Sequence, residues 1–199
     1  MDDRAHWSGV YRAKAVTDVS WYQHRPDLSL DLIRRTGVQY TARIIDVGAG
    51  ASTLVDYLLA DGYRDITLLD LSFEALGVVR ERIGAHSSNV TFIDGNVTEI
   101  TLPEHHYDLW HDRAVFHFLT DAVQRQKYVE TACRAVKPGG HIIVATFALD
   151  GPEQCSGLAV MRYDAASLHS AIGDGFELID SAYETHRTPW GSEQKFVYC

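Results

Sequence analysis

Short runs of Ile, Val, Leu and Phe recur along the chain and are separated by stretches in which apolar residues have helical spacing. The five runs are Arg43–Val47, Ile66–Leu69, Val90–Ile93, Tyr107–Trp110 and His141–Phe147. Strands that alternate with helices are typical of a parallel sheet covered on both faces. The pattern therefore predicts an α/β fold of three layers.

Two of the intervening helices have recognisable ends. Apolar residues at helical spacing between positions 54 and 59 are followed by Asp61-Gly62, which is typical of a helix end. Asp121 is placed to cap a second helix that runs to about Ala135. We predict that the Lys-Pro-Gly-Gly segment at 137–140 forms the turn after this helix.

The two ends of the chain differ from this middle part. Gly175–Tyr183 and Glu193–Tyr198 are predicted as strands joined by a turn around positions 189–191, so that an antiparallel hairpin completes a seven-stranded, mostly parallel sheet. The first forty residues predict one or two helices over the ligand edge of the sheet. Because no repeat or linker interrupts the sequence, we predict one domain over 1–199, with an aromatic lid over 1–40 and a core over 41–199.

Composition narrows the classes of partner. The net charge is −9 and the 18 Lys and Arg residues are scattered, which argues against a nucleic-acid partner. The N-terminus lacks the apolar core of a signal peptide, and no apolar run approaches the ~20 residues that span a bilayer, so a cytoplasmic protein without a membrane partner is expected. Cys133, Cys155 and Cys199 are far apart and predict free thiols rather than disulfides or a metal site.

The first strand runs directly into a glycine turn at Ile44–Ser52. Gly48 and Gly50 allow the backbone to approach a ligand where a Cβ atom would collide, and the following helix presents unpaired N–H groups. About twenty residues later Asp70 ends the second strand, where a carboxylate can accept hydrogen bonds from both ribose hydroxyls. The structural alternatives are a tight turn for the glycines and a helix cap for Asp70.

The residue types in the turn favour a nucleoside without phosphates. A dinucleotide site has a third glycine that allows close packing of the helix, but Thr53 occupies that position and Ser52 precedes it. An NAD-dependent oxidoreductase is therefore the weaker alternative.

Four motifs together identify a family that the chain resembles. They are the glycine turn after Asp46, the acid ending strand two, the Asp-Gly-Asn-Val loop at 94–97 after strand three, and the Lys-Pro-Gly-Gly segment before a strand. In this order they resemble the class I S-adenosylmethionine-dependent methyltransferases over roughly Arg43 to Phe147. The resemblance implies a Rossmann-like sandwich, S-adenosylmethionine as cofactor and methyl transfer without a metal.

The resemblance also implies site residues. Asp46 and Gly48 would face the methionine part of the cofactor, Asp70 the ribose, and Asn96 with the Val97 backbone the adenine. The family often has Asp at the position of Asn96, and the alternative for Asn96 is an Asx turn. The full predicted cofactor-binding set is Asp46, Gly48, Ala49, Gly50, Asp70, Leu71, Asn96, Val97, His111, Trp21 and Tyr11.

Strand four ends in residues that the carboxyl edge of the sheet would place beside the transferred methyl group. His111 and Asp112 are the predicted catalytic residues, with His111 as a base for an amine or thiol. The alternatives are that His111 only lines the pocket and that Asp112 pairs with Arg113. His117 lies between Phe116 and Phe118 and is expected in the core.

Aromatic residues are dense near the N-terminus. They include His6, Trp7, Tyr11, Trp21 and Tyr22. An aromatic lid would exclude water and attract a sulfonium, and the segment is loosely similar to that of thiopurine methyltransferase-like enzymes; a helix docked on the sheet is the alternative. Arg162-Tyr163 and the stretch 186–190 are candidate substrate contacts, although His186 is expected in a surface loop.

The acceptor is not specified by these motifs. We predict a small molecule carrying a thiol, amine, hydroxyl or chalcogen, because the short inserts leave little surface for a macromolecule. A protein lysine is the alternative acceptor, and a nucleoside-binding module without catalysis is the alternative from another class.

Overall fold

The computed structural model describes residues 3–199, which form one seven-stranded sheet and one small hairpin. The large sheet has the strand order β3-β2-β1-β4-β5-β9-β8, and the hairpin pairs β6 with β7. The strands are β1 Arg43–Val47, β2 Asp65–Asp70, β3 Val90–Asp94, β4 Tyr107–Arg113, β5 Val136–Phe147, β6 Gln154–Cys155, β7 Leu158–Ala159, β8 Ala182–Arg187 and β9 Glu193–Tyr198. The helices are α1 Asp3–Ala13, α2 Asp27–Arg35, α3 Leu54–Asp61, α4 Phe73–Ile83, α5 Ala122–Ala135 and α6 Ala165–Ile172.

The predicted fold class is confirmed. Strands β1 to β5 are parallel, and β9 pairs antiparallel with both β5 and β8. Neighbouring residues of β1 enter two separate cores, because successive side chains of a strand point to opposite faces. Ile44 packs with residues of α2, α3 and α4, whereas Ile45 packs with residues of α5 and α6.

The sheet brings the ends of four strands to one edge. Val47 is in register with both Leu69 and Asp112, and Asp70 is in register with Asp94. The strand order reverses between β1 and β4, which is where ligands bind in open α/β sheets. The turns that follow β1 to β4 therefore meet around the reversal point.

Helix α5 has the predicted boundaries, but the segment after it differs from the prediction. The Asp121 carboxylate accepts from the backbone N–H of Val123 and Gln124 and caps the helix. The Lys-Pro-Gly-Gly segment at 137–140 then lies inside β5, which begins at Val136. Val136 already pairs with Tyr107 and His141 pairs with Leu109, so residues 137–140 lie opposite Asp108 alone and form a bulge, in which Gly139 has φ +76°.

The C-terminal hairpin is confirmed, but its first strand is shorter than predicted. Strand β8 begins at Ala182 rather than at Gly175, since β9 offers six partners, 193–198, for residues 182–187. The preceding segment is instead held by the His169 ring, whose Nε2 lies 2.9 Å from the carbonyl oxygen of Phe176.

Several smaller expectations have been answered by the structure. The N-terminal segment forms α1, a short turn at Val16–Asp18 and α2, as predicted. All three cysteines are free. Among residues 3–199, no helix has the length and apolar character that crossing a membrane requires.

Candidate functional site

The glycine turn has a backbone that only glycine adopts without strain. Gly48 has φ +65° and Gly50 has φ +51°. A Cβ atom at Gly48 would lie 1.9 Å from Cγ2 of Val115, and one at Gly50 would lie 2.2 Å from the Tyr11 hydroxyl. Both glycines are therefore required by conformation and by close approach.

Asp70 closes this turn from strand β2. Its carboxylate accepts from the backbone N–H of Gly50 and of Ser72, each at 2.7 Å. Burial raises the pKa of Asp70 to about 6, although these two hydrogen bonds act in the opposite direction. A carboxylate has about four acceptor positions, so capacity for ribose hydroxyls remains. The cap of α4 is Ser72, whose hydroxyl accepts from the Ala75 N–H.

The loop after β3 forms an Asx turn at Asn96, which was the structural alternative to adenine binding. The Asn96 Oδ1 accepts from the N–H and the hydroxyl of Thr98, at 3.0 and 2.9 Å. The predicted acceptance from an adenine amino group would have to compete with these two donors. The side-chain amide N–H groups remain the better contact for a ligand, since they are donors to a ring nitrogen.

Two adjoining cavities lie along this edge, with volumes of about 430 Å³ and 50 Å³. Tyr11, Trp21, Gly48 and Arg113 line both. Asp70, Leu71, Asn96 and Val97 line only the larger cavity, and Asp46, Ala49 and His111 line only the smaller. The structure thus brings together all the predicted cofactor-binding residues except Gly50, which Tyr11 covers.

The surroundings of His111 favour the alternative that it lines the pocket over a role as a general base. Its Nδ1 lies 2.7 Å from Oδ1 of Asp46, its Nε2 lies 2.9 Å from the Ser29 hydroxyl, and only 3% of the residue is exposed. Asp46 and His111 are register neighbours on β1 and β4, which explains the contact. With both ring nitrogens engaged, His111 positions Asp46 and forms pocket wall.

Asp112 and Arg113 do not pair, and Asp112 lines neither cavity. The Asp112 carboxylate accepts from the N–H of Val115 and Phe116 and from the Tyr128 hydroxyl, at 2.8, 3.0 and 2.6 Å. Burial raises its pKa to about 6. This geometry favours a structural role over the predicted catalytic one, because neighbouring residues of β4 point to opposite faces and Asp112 points into the core beside α5.

Arg113 lies on the ligand side of β4. Its guanidinium pairs with Glu184 at 3.2 Å and donates to the hydroxyl of Tyr198 and the carbonyl of Trp21. Sequence reasoning did not assign these partners, since Glu184 and Tyr198 lie 71 and 85 residues away in the chain.

Aromatic rings close the larger cavity. The Trp7 ring contacts the rings of Trp21 and Phe118 edge-on, with centroids 5.6 and 5.0 Å apart, and the Trp21 indole N–H donates to the Tyr11 hydroxyl. Trp7 and Tyr11 share one face of α1, as the spacing predicted. Cys155 and Leu158 of the β6–β7 hairpin line the same cavity, and two-residue strands leave little signal in a sequence.

Two histidines outside the cavities are buried. His117 is fully buried against Phe118 and Phe147, as expected, and burial lowers its pKa to about 3. His186 is 6% exposed and its Nε2 lies 2.7 Å from the Ser20 carbonyl oxygen, so the expected surface loop is wrong. It lies on β8 and ties the N-terminal segment to the sheet.

The chain is similar to known methyltransferases. Residues 44–140 match the family model of a methyltransferase domain. A ubiquinone/menaquinone biosynthesis C-methyltransferase UbiE from Proteus mirabilis is 25% identical over 154 residues, which are 75% of this chain and 59% of that protein. The chain thus spans little more than half of this curated relative.

Solved structures show the same fold at low identity. The 1,6-didemethyltoxoflavin-N1-methyltransferase of Burkholderia thailandensis, solved with S-adenosylhomocysteine, has a TM-score of 0.72 and 20% identity, covering 98% of this chain and 84% of that chain. A SAM-dependent methyltransferase from Methanosarcina mazei has a TM-score of 0.71 and 15% identity, covering 84% and 94%.

Proposed function

We propose, on the premise that this chain belongs to the class I S-adenosylmethionine-dependent methyltransferases, that it transfers a methyl group to a small molecule bound in the larger cavity. The family, the enzyme class and the cofactor are those predicted from the sequence, and the match of residues 44–140 to a methyltransferase domain and the similarity to a curated C-methyltransferase support them. The similarity of the N-terminal segment to thiopurine methyltransferase-like enzymes stays a prediction.

One observation carries the proposal: the glycine turn, Asp70 and the Asn96-Val97 loop surround a cavity that aromatic residues close. The residues fit the cofactor. Asp70 would hold the ribose hydroxyls, the Asn96 amide and the Val97 backbone would hold the adenine, and Asp46 and Gly48 would face the methionine part. When bound, S-adenosylmethionine supplies a methyl group on a cationic sulfur.

Apart from binding the cofactor, the protein must align the acceptor with the methyl group and exclude water from the cavity. Methyl transfer from a sulfonium is an in-line displacement, which depends on holding the two reacting atoms in contact. Trp7 and Trp21 cover the cavity, and aromatic faces attract cations by about 0.5–2 kcal/mol. We propose that these rings hold the sulfonium and keep water from it.

The first test is isothermal titration with S-adenosylmethionine, S-adenosylhomocysteine and NAD. We expect micromolar dissociation constants for the two adenosyl ligands and no binding of NAD, because Thr53 replaces the glycine that a dinucleotide site requires. Binding of NAD alone would replace the methyltransferase with an oxidoreductase. Methylation of a lysine peptide in preference to every small molecule would contradict the proposed acceptor class.

Cofactor affinity should depend on the ionisation of Asp70. Because burial raises the pKa of Asp70 to about 6, the carboxylate that accepts from the ribose is lost as the pH falls through 6. We expect the dissociation constant of S-adenosylhomocysteine to rise by about tenfold for each pH unit below that value. Titration calorimetry between pH 5 and 8 measures this, with circular dichroism confirming the fold at each pH.

Two variants isolate the contribution of Asp70. Asp70→Asn should bind about 10- to 100-fold more weakly at pH 8, corresponding to about 1.5–3 kcal/mol for a charged hydrogen bond, and should lose the pH dependence. Asp65→Asn is the control, since Asp65 begins the same strand, is exposed and pairs with Arg43 away from the cavities. A flat profile in the unmodified protein would refute the ribose assignment.

A further inference from the structure

We propose that the methyl acceptor is a small apolar, ring-bearing thiol that reacts as its thiolate beside Arg113. This inference rests on the proposed function and deepens it by naming the substrate class. It depends on three properties of the larger cavity: its apolar walls, the absence of a general base among the described residues that line it, and the orientation of one buried cation.

The acceptor part of the cavity is mainly apolar and aromatic, although Thr120 and Gln124 also line the cavity. Beyond the nucleoside residues, its walls include Trp7, Trp21, Phe118, Leu119, Cys155 and Leu158. Rings that meet edge-on around a space of this size favour a flat apolar molecule, and sulfur makes favourable contacts with aromatic rings. A thiol attached to a ring fits both properties.

No group on these walls is suited to remove a proton from the acceptor. Among the described residues that line the larger cavity, the titratable ones are Asp3, Tyr11, Asp70, Arg113 and Cys155. Burial raises the pKa of Tyr11, and it raises that of Cys155 to about 11, so both are protonated near neutral pH.

The carboxylates of Asp70 and Asp3 are also not placed to remove a proton from the acceptor. Asp70 is bound to the backbone at the ribose position, and Asp3 is exposed at the start of α1. His111 lines only the smaller cavity, and both of its nitrogens are engaged. The acceptor must therefore lose its proton to solvent before transfer.

Arg113 presents a buried positive charge to the acceptor. Its side chain is 10% exposed and lines both cavities, whereas its counter-ion Glu184 lines neither. The guanidinium is held in place by Glu184, the Tyr198 hydroxyl and the Trp21 carbonyl. A guanidinium on the wall favours an anionic acceptor over an ammonium group, while its ion pair with Glu184 reduces its repulsion of the cationic sulfonium.

Without a base, the acceptor atom is selected by its own acidity. In amino-acid side chains the thiol of Cys has a pKa of about 8.5, against about 10 for the phenol of Tyr and about 10.4 for the ammonium group of Lys, so the thiol is about thirtyfold more ionised than the phenol at neutral pH. Thiolates are also strong nucleophiles. The thiolate lone pair forms the new sulfur–carbon bond, while the bond from the methyl carbon to the donor sulfonium breaks and its electron pair stays on that sulfur.

The test compares three acceptors of similar size: benzyl thiol, 4-methylphenol and benzylamine. With the full chain and S-adenosylmethionine, we expect kcat/KM for benzyl thiol to exceed the other two by about tenfold or more, because the thiolate is the stronger nucleophile and is more readily formed than the phenolate. Direct binding is followed by the ultraviolet absorbance of the thiolate in the presence of S-adenosylhomocysteine. The bound thiol should ionise about one pH unit lower than the free thiol.

Charge-balanced variants test Arg113. The double variant Arg113→Gln/Glu184→Gln removes both charges, so that no carboxylate is left buried without its partner. It should lose the shift in thiol ionisation and raise KM for benzyl thiol about tenfold. The matched control Glu184→Gln keeps the cation and should keep the shift.

The outcomes separate this inference from the proposed function. If calorimetry detects no binding of S-adenosylmethionine, the proposed function fails. If the cofactor binds but 4-methylphenol or benzylamine is preferred, or none of the three is methylated, the thiol inference is overturned. An unchanged ionisation shift in the double variant overturns the assignment of Arg113.

Discussion

Replacing Asp112 with alanine should lower the free energy of unfolding by about 4 kcal/mol, because it leaves several buried donors without an acceptor. The carboxylate is fully buried and accepts from the backbone N–H of Val115 and Phe116 and from the Tyr128 hydroxyl. The Trp110 indole N–H donates in turn to Tyr128 at 2.9 Å, so the change also disturbs a buried network. Urea denaturation followed by tryptophan fluorescence measures the loss.

Asp121→Ala is the matched control, since Asp121 also accepts from two backbone N–H groups but is exposed. Its loss should cost about 1 kcal/mol, the usual value for a helix cap. Asp112→Asn keeps one acceptor oxygen and should be intermediate, with cofactor affinity within about twofold of the unmodified protein. Equal effects of Asp112→Ala and Asp121→Ala would contradict the buried network, and a folded Asp112→Asn protein that binds cofactor but transfers no methyl group would restore the catalytic role.

Replacing Gly50 with alanine should weaken cofactor binding by about 100-fold, or about 2.7 kcal/mol. A non-glycine residue at a positive φ costs about 1–2 kcal/mol, and the new Cβ atom would lie 2.2 Å from the Tyr11 hydroxyl. Either Tyr11 or the turn must move, and the turn carries the N–H that orients Asp70. Isothermal titration with S-adenosylhomocysteine measures the effect.

Gly37→Ala separates the cost of the backbone conformation from that of the contact. Gly37 has φ +75°, and a Cβ atom there would meet nothing within 4 Å. The Gly37→Ala variant should lose about 1–2 kcal/mol of folding stability, the same conformational cost as at Gly50, and should bind the cofactor as tightly as the unmodified protein. Should Gly50→Ala bind the cofactor as tightly as Gly37→Ala does, the close approach at the turn would have no part in binding.

Local features of the chain were predicted well because their physical causes lie close together in sequence. The strand periodicity, the glycine turn after β1, the Asp121 cap and the acid ending β2 each depend on a few neighbouring residues. Where long-range pairing competes with local signals, prediction was weaker. The Lys-Pro-Gly-Gly segment favours a turn before the strand, but Val136 already pairs with β4, so the segment forms a bulge inside β5.

The sequence by itself determined the α/β fold, the edge of the sheet at which we propose that the nucleoside binds, and most of the residues that line its cavities. Only the tertiary structure decided the contacts of His111, Asp112 and Arg113 at the end of β4. Alternation along a strand implies that His111 and Asp112 point to opposite faces of the sheet, but it does not predict which side chains they contact on those faces. Ser29 lies 82 residues from His111, and Tyr198 lies 85 residues from Arg113, so packing of distant segments places these side chains. In that packing both ring nitrogens of His111 have hydrogen-bond partners, and Asp112 is buried away from the two cavities. Arg113 lies on the wall of both cavities.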